Sequence, residues 1–215
     1  MITKVQLGGI HSRDAEVNKY LSTIIKSDKQ LQVIDIGASA NFWCNYVTAA
    51  VDIVDPNQAD VKYFTGNINL PDVWNTVLEY VQVHGKFDFS ICTHTLEDIS
   101  NPILVAQMLG KISNKGFVAM PCKYVEAKRT GAIGGSRGWM HHRWIFNHEG
   151  DQIVAYPKLA FTEYLEALDI VGGQSSTEEL SFYWEDSCDI VAVNNDFFPS
   201  EAEGVAMYDN LIDRE

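Results

Sequence analysis

The sequence predicts a Rossmann-like α/β fold, a mostly parallel sheet with helices on both faces. Short apolar, β-branched runs recur at residues 31–36, 49–54, 61–64, 87–93 and 116–120, and helical patterns at 71–83 and 101–112 fall between them. Alternation of this kind means parallel strands joined by crossover helices. The first run also leads directly into a glycine turn, Val33-Ile34-Asp35-Ile36-Gly37, as a strand does where a ligand is to lie against its carboxyl end.

The remaining elements follow in order. Residues 14–29 put Val17, Leu21, Ile24 and Ile25 at helical spacing, with Ser12 or Asp14 available as N-cap, which predicts an amphipathic helix over one sheet face. Asn114, Lys115 and Gly116 form the turn into the fifth strand, and Pro121 stops it. From Cys122 to Gly150 the alternation lapses into a Gly-, Arg- and His-rich stretch too long for an ordinary connection, so residues 123–150 are expected to form a lid or binding insertion. A helix is predicted near 160–168. Residues 179–184 and 188–193, joined by Glu185-Asp186-Ser187, read as an antiparallel hairpin closing the sheet. Residues 194–215 form an acidic tail with scattered apolar side chains. All 215 residues are expected to form one domain.

Composition narrows the function. With 29 acids against 16 bases the net charge is −13, which repels a phosphate backbone and argues against nucleic-acid partners. No aliphatic run is long enough to span a bilayer and the N-terminus lacks a signal-peptide pattern, so neither membrane insertion nor export is indicated and the cytoplasm is the default. Cys44, Cys92, Cys122 and Cys188 lie far apart with no Cys-x-x-Cys pair, as expected of buried free thiols rather than a disulfide framework or zinc site.

The glycine turn indicates which ligand fits. A dinucleotide loop needs Gly-x-Gly-x-x-Gly to hold a pyrophosphate, but here Ser39 and Phe42 occupy the second and third glycine positions. A carboxylate two residues before the turn suits a cation instead, and S-adenosylmethionine (SAM) offers an ammonium and a sulfonium without a phosphate. The other strand ends extend the set. Asp52 is placed to accept both ribose hydroxyls, with Asp55 as the competitor; Gly66, Asn67 and Ile68 follow the third run, and Thr93 and His94 end the fourth.

These motifs resemble the class I SAM-dependent methyltransferases, in particular the small type 11 members, over about residues 31–122. The carriers are Val-Ile-Asp-Ile-Gly-Ala-Ser-Ala-Asn, Ala-Val-Asp-Ile, Phe-Thr-Gly-Asn-Ile, Phe-Asp-Phe-Ser-Ile-Cys-Thr-His-Thr-Leu-Glu-Asp-Ile and Asn-Lys-Gly-Phe-Val-Ala-Met-Pro. The resemblance implies a seven-stranded sheet with its last strand antiparallel and SAM as cofactor. It implies that Asp35, Gly37 and the neighbouring Ser39 hold the methionine end, Asp52 the ribose, and Asn67 and Ile68 the adenine, with Thr93 at the same edge. Ser39, Asn41, Asn67 and Asp98 depart from the family pattern.

A second cluster, Gly138-Trp139 followed by His141-His142-Arg143-Trp144, concentrates imidazole and cationic groups in the predicted lid. Arg143 and Trp144 are candidates for contacting a small hydroxyl-, amine- or carboxylate-bearing acceptor. His94, His141 and His142 are candidates for receiving its proton in an in-line methyl displacement. No spacing aims three ligands at one point, so no metal is expected. Glu97 reads as a helix-entry residue and Trp184 as core. The rivals are a non-catalytic SAM-fold interaction protein and an NAD or nucleotide-sugar Rossmann enzyme.

Overall fold

A computed structural model describes residues 1–24, 30–38, 42–58, 60–130, 135–193 and 200–213. Ser39 and Asn41 therefore lie outside the described residues, as does the start of the tail. Strands are β1 (Ile2–Gly8), β2 (Val33–Ile36), β3 (Val47–Asp52), β4 (Lys62–Thr65), β5 (Phe89–Thr93), β6 (Lys115–Pro121), β7 (Trp144–Glu149), β8 (Gln152–Pro157), β9 (Glu179–Glu185) and β10 (Ile190–Ala192). Helices are α1 (Ile10–Ile24), α2 (Pro71–His84), α3 (Pro102–Ile112), α4 (Lys123–Ala127), α5 (Glu166–Gln174) and α6 (Glu201–Ala206), with 3₁₀ turns at Ala160–Tyr164 and Met207–Leu211.

Seven strands form the main sheet in the order β1-β9-β6-β5-β2-β3-β4. The pairs β2–β3, β3–β4, β2–β5 and β5–β6 are parallel, and β9 runs antiparallel to both of its neighbours. The order reverses at β2, which has β3 on one side and β5 on the other, and this switch point opens a crevice at the strands' carboxyl ends.

Strand alternation divides the core between the two faces. Val33, Phe89, Ile91, Phe117 and Ala119 pack with Val17 and Leu21 of α1, so α1 covers one face as its periodicity predicts. Ile34, Ile36, Cys92, Val118 and Met120 belong to the larger core with Trp74 and Val77 of α2 and Val105 and Leu109 of α3. Asn101 caps α3 by accepting from the Leu104 amide at 3.0 Å, and Pro102 begins it. Helix α1 starts at Ile10, which puts Ser12 and Asp14 inside it rather than at its cap.

The expected closing hairpin is corrected. β9 already has β6 on one edge and β1 on the other, leaving no free edge for the segment that follows it. After a turn in which Asp186 takes a left-handed φ of 63°, β10 joins a separate three-stranded sheet, parallel to β8, which pairs with β7. The antiparallel strand is thus internal, and β1 supplies the sheet edge. The expected helix at 160–168 is split into the 3₁₀ turn and α5 at Leu165. The tail is anchored: Tyr208 and Leu211 are fully buried, and the Tyr208 hydroxyl donates to the Pro157 carbonyl. All four cysteines are buried free thiols, and Trp184 lies in the core. No described helix is long and apolar enough to cross a membrane.

Candidate active site

The turn after β2 is built by two constraints on Gly37. Its φ is +74°, and a Cβ there would lie 2.3 Å from Thr95 Oγ1, so the residue must be glycine for both backbone and packing reasons. The Gly37 amide donates to the Val51 carbonyl at 2.8 Å, tying the turn to β3. Thr95 is fixed in turn, its hydroxyl lying 3.1 Å from the Thr93 carbonyl and 3.3 Å from that of Ile36. Asp35 is buried in β2 beneath this turn, and Asp52 ends β3, its Oδ1 accepting from the Val54 amide at 3.2 Å. Two carboxylates therefore stand on adjacent strands beside a turn with no pyrophosphate fingerprint.

Beyond β4, Asn67 is exposed and its side-chain oxygen accepts from the Asn69 amide at 2.9 Å, while Ile68 is buried. The Trp74 indole donates to the Ile68 carbonyl at 2.8 Å, so α2 fixes this turn. Thr93 ends β5 and accepts from the Trp43 indole at 3.3 Å. The described cofactor candidates thus lie at the carboxyl ends of four adjacent strands, either side of the switch point.

One residue connects this edge to a second space. His94 lies between Thr93 and Thr95 with a left-handed φ of 50°, an uncommon conformation for a side-chain-bearing residue that turns it off the strand. It lines a cleft of about 650 Å³ with Glu97, Asp98, Pro121, Val125, Trp139, His141, His142 and Glu178. His94 and the sequence-remote pair His141 and His142 therefore meet around one cleft. Arg143 and Trp144 are not among its lining residues. Trp144 is half-buried at the start of β7, and its indole donates to the Ile99 carbonyl at 2.8 Å.

Partners define the charge of each group. His94 Nε2 lies 2.8 Å from Glu179 Oε1 and its Nδ1 3.4 Å from Glu97 Oε1. Burial opposes protonation of the ring, but the two carboxylates outweigh it and raise its pKa from the ordinary 6.5 to about 9. Glu97 is buried and its Oε2 has no hydrogen-bond partner among the described residues. It sits in the turn before α3, outside the helix, which corrects the helix-entry expectation. His142 is buried with Nδ1 2.6 Å from Oε1 of the fully buried Glu126, whose Oε2 accepts from Lys158 at 2.7 Å.

The expectation that no three ligand atoms converge is also corrected. Among the described residues, one ligand atom each of Asp98, His141 and His142 lies within 4.8 Å of the others. A turn and a loop bring them together, which helical or strand spacing could not reveal.

Three cations of the predicted lid are paired internally. Arg137, only 1% exposed, donates to the carbonyls of Thr162, Ala127 and Leu165 and pairs with Asp169 at 2.8 Å. Lys123 pairs with Asp213 at 2.6 Å, and Arg129 with Asp169 at 3.0 Å. Sequence reading missed Glu126 and Glu179, which reach the cleft histidines from distant elements, and Lys158, which holds Glu126. Glu97 and Asp98 had a visible signal, two acids near the end of the fourth-strand motif.

No family model matches the chain, and no curated protein matches it in sequence. Among solved structures it is similar to the N-terminal domain of EvdMO1 with SAH bound, at 12% identity over 82% of this chain and 83% of that one, TM-score 0.42. It is also similar to a cyclopropane-fatty-acyl-phospholipid synthase-like protein from Lactobacillus casei, at 12% identity over 83% of this chain and 95% of that one, TM-score 0.38. A third is the MycE methyltransferase of the mycinamycin biosynthetic pathway in complex with Mg and SAH, at 10% identity over 93% of this chain and 55% of that one, TM-score 0.34. The strand order, the switch point at β2 and the single antiparallel strand define a Rossmann-like fold, with the seven-stranded sheet and one antiparallel strand that the sequence resemblance implies.

Proposed function

We propose that the chain is a SAM-dependent methyltransferase acting on a small hydroxyl- or amine-bearing acceptor. The observation that carries this reading is the pair of carboxylates, Asp35 and Asp52, on adjacent strand ends beside the constrained Gly37 turn, with the histidine-lined cleft beginning at His94, next to the Gly37 contact at Thr95. That donor set fits SAM: Asp35 answers a cationic methionine end, Asp52 a ribose diol, and buried Ile68 with Asn67 an adenine edge. Hydrogen bonds to charged groups are worth roughly 1.5–3 kcal/mol each, so Asp52 with two hydroxyls is a substantial anchor.

When bound, SAM supplies a methyl group already activated on sulfonium, leaving the protein to align the acceptor, exclude water and take up a proton. His94 keeps its own proton at neutral pH, which favours an orienting role, held between Glu97 and Glu179. Glu97 Oε2, buried at the cleft and without a partner among the described residues, is the better proton acceptor. With Lys123, Arg129 and Arg137 already paired and Arg143 outside the lining, the cleft's carboxylates, imidazoles and Trp139 suit a neutral or cationic acceptor better than a carboxylate.

The test is thermal unfolding with SAM, S-adenosylhomocysteine or NAD. A ligand at a hundredfold over its dissociation constant adds about 2.7 kcal/mol, roughly 5–11 °C for a domain of this size. A rise with SAM or its product that Asp52→Ala abolishes, and none with NAD, is the expected result. A rise with NAD alone would replace this reading with the dinucleotide one, and no rise with any ligand would favour a non-catalytic role.

A further inference from the structure

We propose that Asp98, His141 and His142 bind a divalent transition-metal ion of the Zn²⁺ class, with open coordination positions facing the cleft. Asp98 Oδ1 lies 3.7 Å from His141 Nε2 and 3.6 Å from His142 Nε2. A tetrahedral ion with bonds near 2.0–2.1 Å holds neighbouring ligand atoms about 3.4 Å apart, so small side-chain movements complete the geometry. Two imidazoles and one carboxylate favour Zn²⁺, Co²⁺ or Fe²⁺ over Mg²⁺ or Ca²⁺, which prefer all-oxygen shells.

The residues behind the ligands supply an independent observation. Metal-bound histidines usually donate their second ring nitrogen to a carboxylate that fixes the ring. Glu126 stands in that position: it is fully buried, 2.6 Å from His142 Nδ1, and its other oxygen accepts from Lys158. A carboxylate only accepts, so His142 Nδ1 carries a proton toward Glu126, which leaves Nε2 facing Asp98 Oδ1 at 3.6 Å, where a ligand atom would be needed. Loop packing also supports the arrangement: Gly138, with φ +48°, passes so close over Glu126 that a Cβ would lie 2.6 Å from its Oε2, and Lys158 donates to the Arg137 and Trp139 carbonyls just before the histidines.

Three protein ligands beside a cleft of about 650 Å³ resemble a catalytic metal site with positions left for water or substrate. An acceptor hydroxyl reaching the ion would be acidified there, and Glu97 lines the same space. Metal binding itself does not depend on the methyl-transfer reading.

The experiment uses the full untagged chain, treated with chelator, desalted and titrated with Co²⁺ in the absence of SAM. Visible absorption reports inner-sphere nitrogen ligands, and competition with Zn²⁺ and Mg²⁺ gives selectivity. The expected result is one Co²⁺ per chain, displaced by Zn²⁺ but not by Mg²⁺, with affinity at least tenfold lower in His141→Ala and in Asp98→Asn. The His141 side chain is 66% exposed, so its removal leaves folding intact, which the unfolding midpoint verifies. Absence of a Co²⁺ spectrum, or equal affinity in parent and both variants, would overturn the site. Because SAM is absent, these outcomes are distinguishable from failure of the methyl-transfer reading.

Discussion

Gly37 and His94 occupy the left-handed region of backbone space for opposite reasons. Gly37 has no room for a side chain, since Thr95 fills the space a Cβ would need and is itself held by two backbone carbonyls. Gly37→Ala is expected to cost at least about 2 kcal/mol, combining the left-handed penalty with overpacking, and to weaken SAM binding. Urea unfolding measures the first effect and calorimetric titration the second; Thr95→Ala in the same chain should recover part of the stability. His94 accepts its backbone conformation while its ring is held by Glu179 and Glu97, with Glu178 also on the cleft. Its folded pKa is raised above the ordinary 6.5 to about 9, so the stability owed to its charge is complete below pH 6.5 and lost as pH rises toward 9. In His94→Gln the decline of the unfolding midpoint over that window should flatten. A decline parallel to that of the parent would mean that the two carboxylates contribute nothing through the ring. The histidines were visible in the sequence as candidates, but their charge was not, because Glu179 is 85 residues from His94.

At the scale of elements, legibility followed periodicity. Strands β2 to β6 and helices α2 and α3 were visible because buried parallel strands are short apolar runs and their crossover helices carry an apolar stripe. Strand β1 was not: as an edge strand it mixes exposed polar and apolar positions and has no core pattern to read. The β7–β8 hairpin was absorbed into the presumed lid, although Gly150-Asp151 between two apolar runs marked its turn. The closing hairpin failed because proximity in sequence was taken for pairing. What organises the former lid is Arg137, whose guanidinium joins α4, the 3₁₀ turn and α5 through three carbonyls. Its replacement by Met should cost about 3–5 kcal/mol in urea unfolding, since three carbonyls lose a charged donor and Asp169 loses an ion-pair partner. Lysine should not rescue it, because a point charge cannot reproduce the planar fork.

Across the whole molecule, the switch point serves both halves of the candidate site: the carboxylates lie toward β3, the cleft toward β5 and β6. The other end of the sheet depends on a strand from far away in the chain. β1 covers the edge of β9, and its Lys4 pairs with Glu16 of α1 at 2.6 Å, placing charge on the outermost strand. Deleting residues 2–8 should expose the seven-residue β9 edge and produce dimers or larger species in size-exclusion chromatography. A deletion variant that elutes no larger than the parent would mean that other groups protect that edge.

The pairing of β1 with β9 also sets a timetable for the growing chain. Ile2 meets Trp184 and Gly8 meets Glu179, so β1 gains its partner only after β2 to β8 have been synthesised. At translation rates of roughly 5–20 residues per second, that interval is about 10–35 seconds, far longer than a hairpin or helix needs to form. The five parallel strands β2 to β6 can assemble while β1 waits, and the pairing of β1 with β9 completes the sheet.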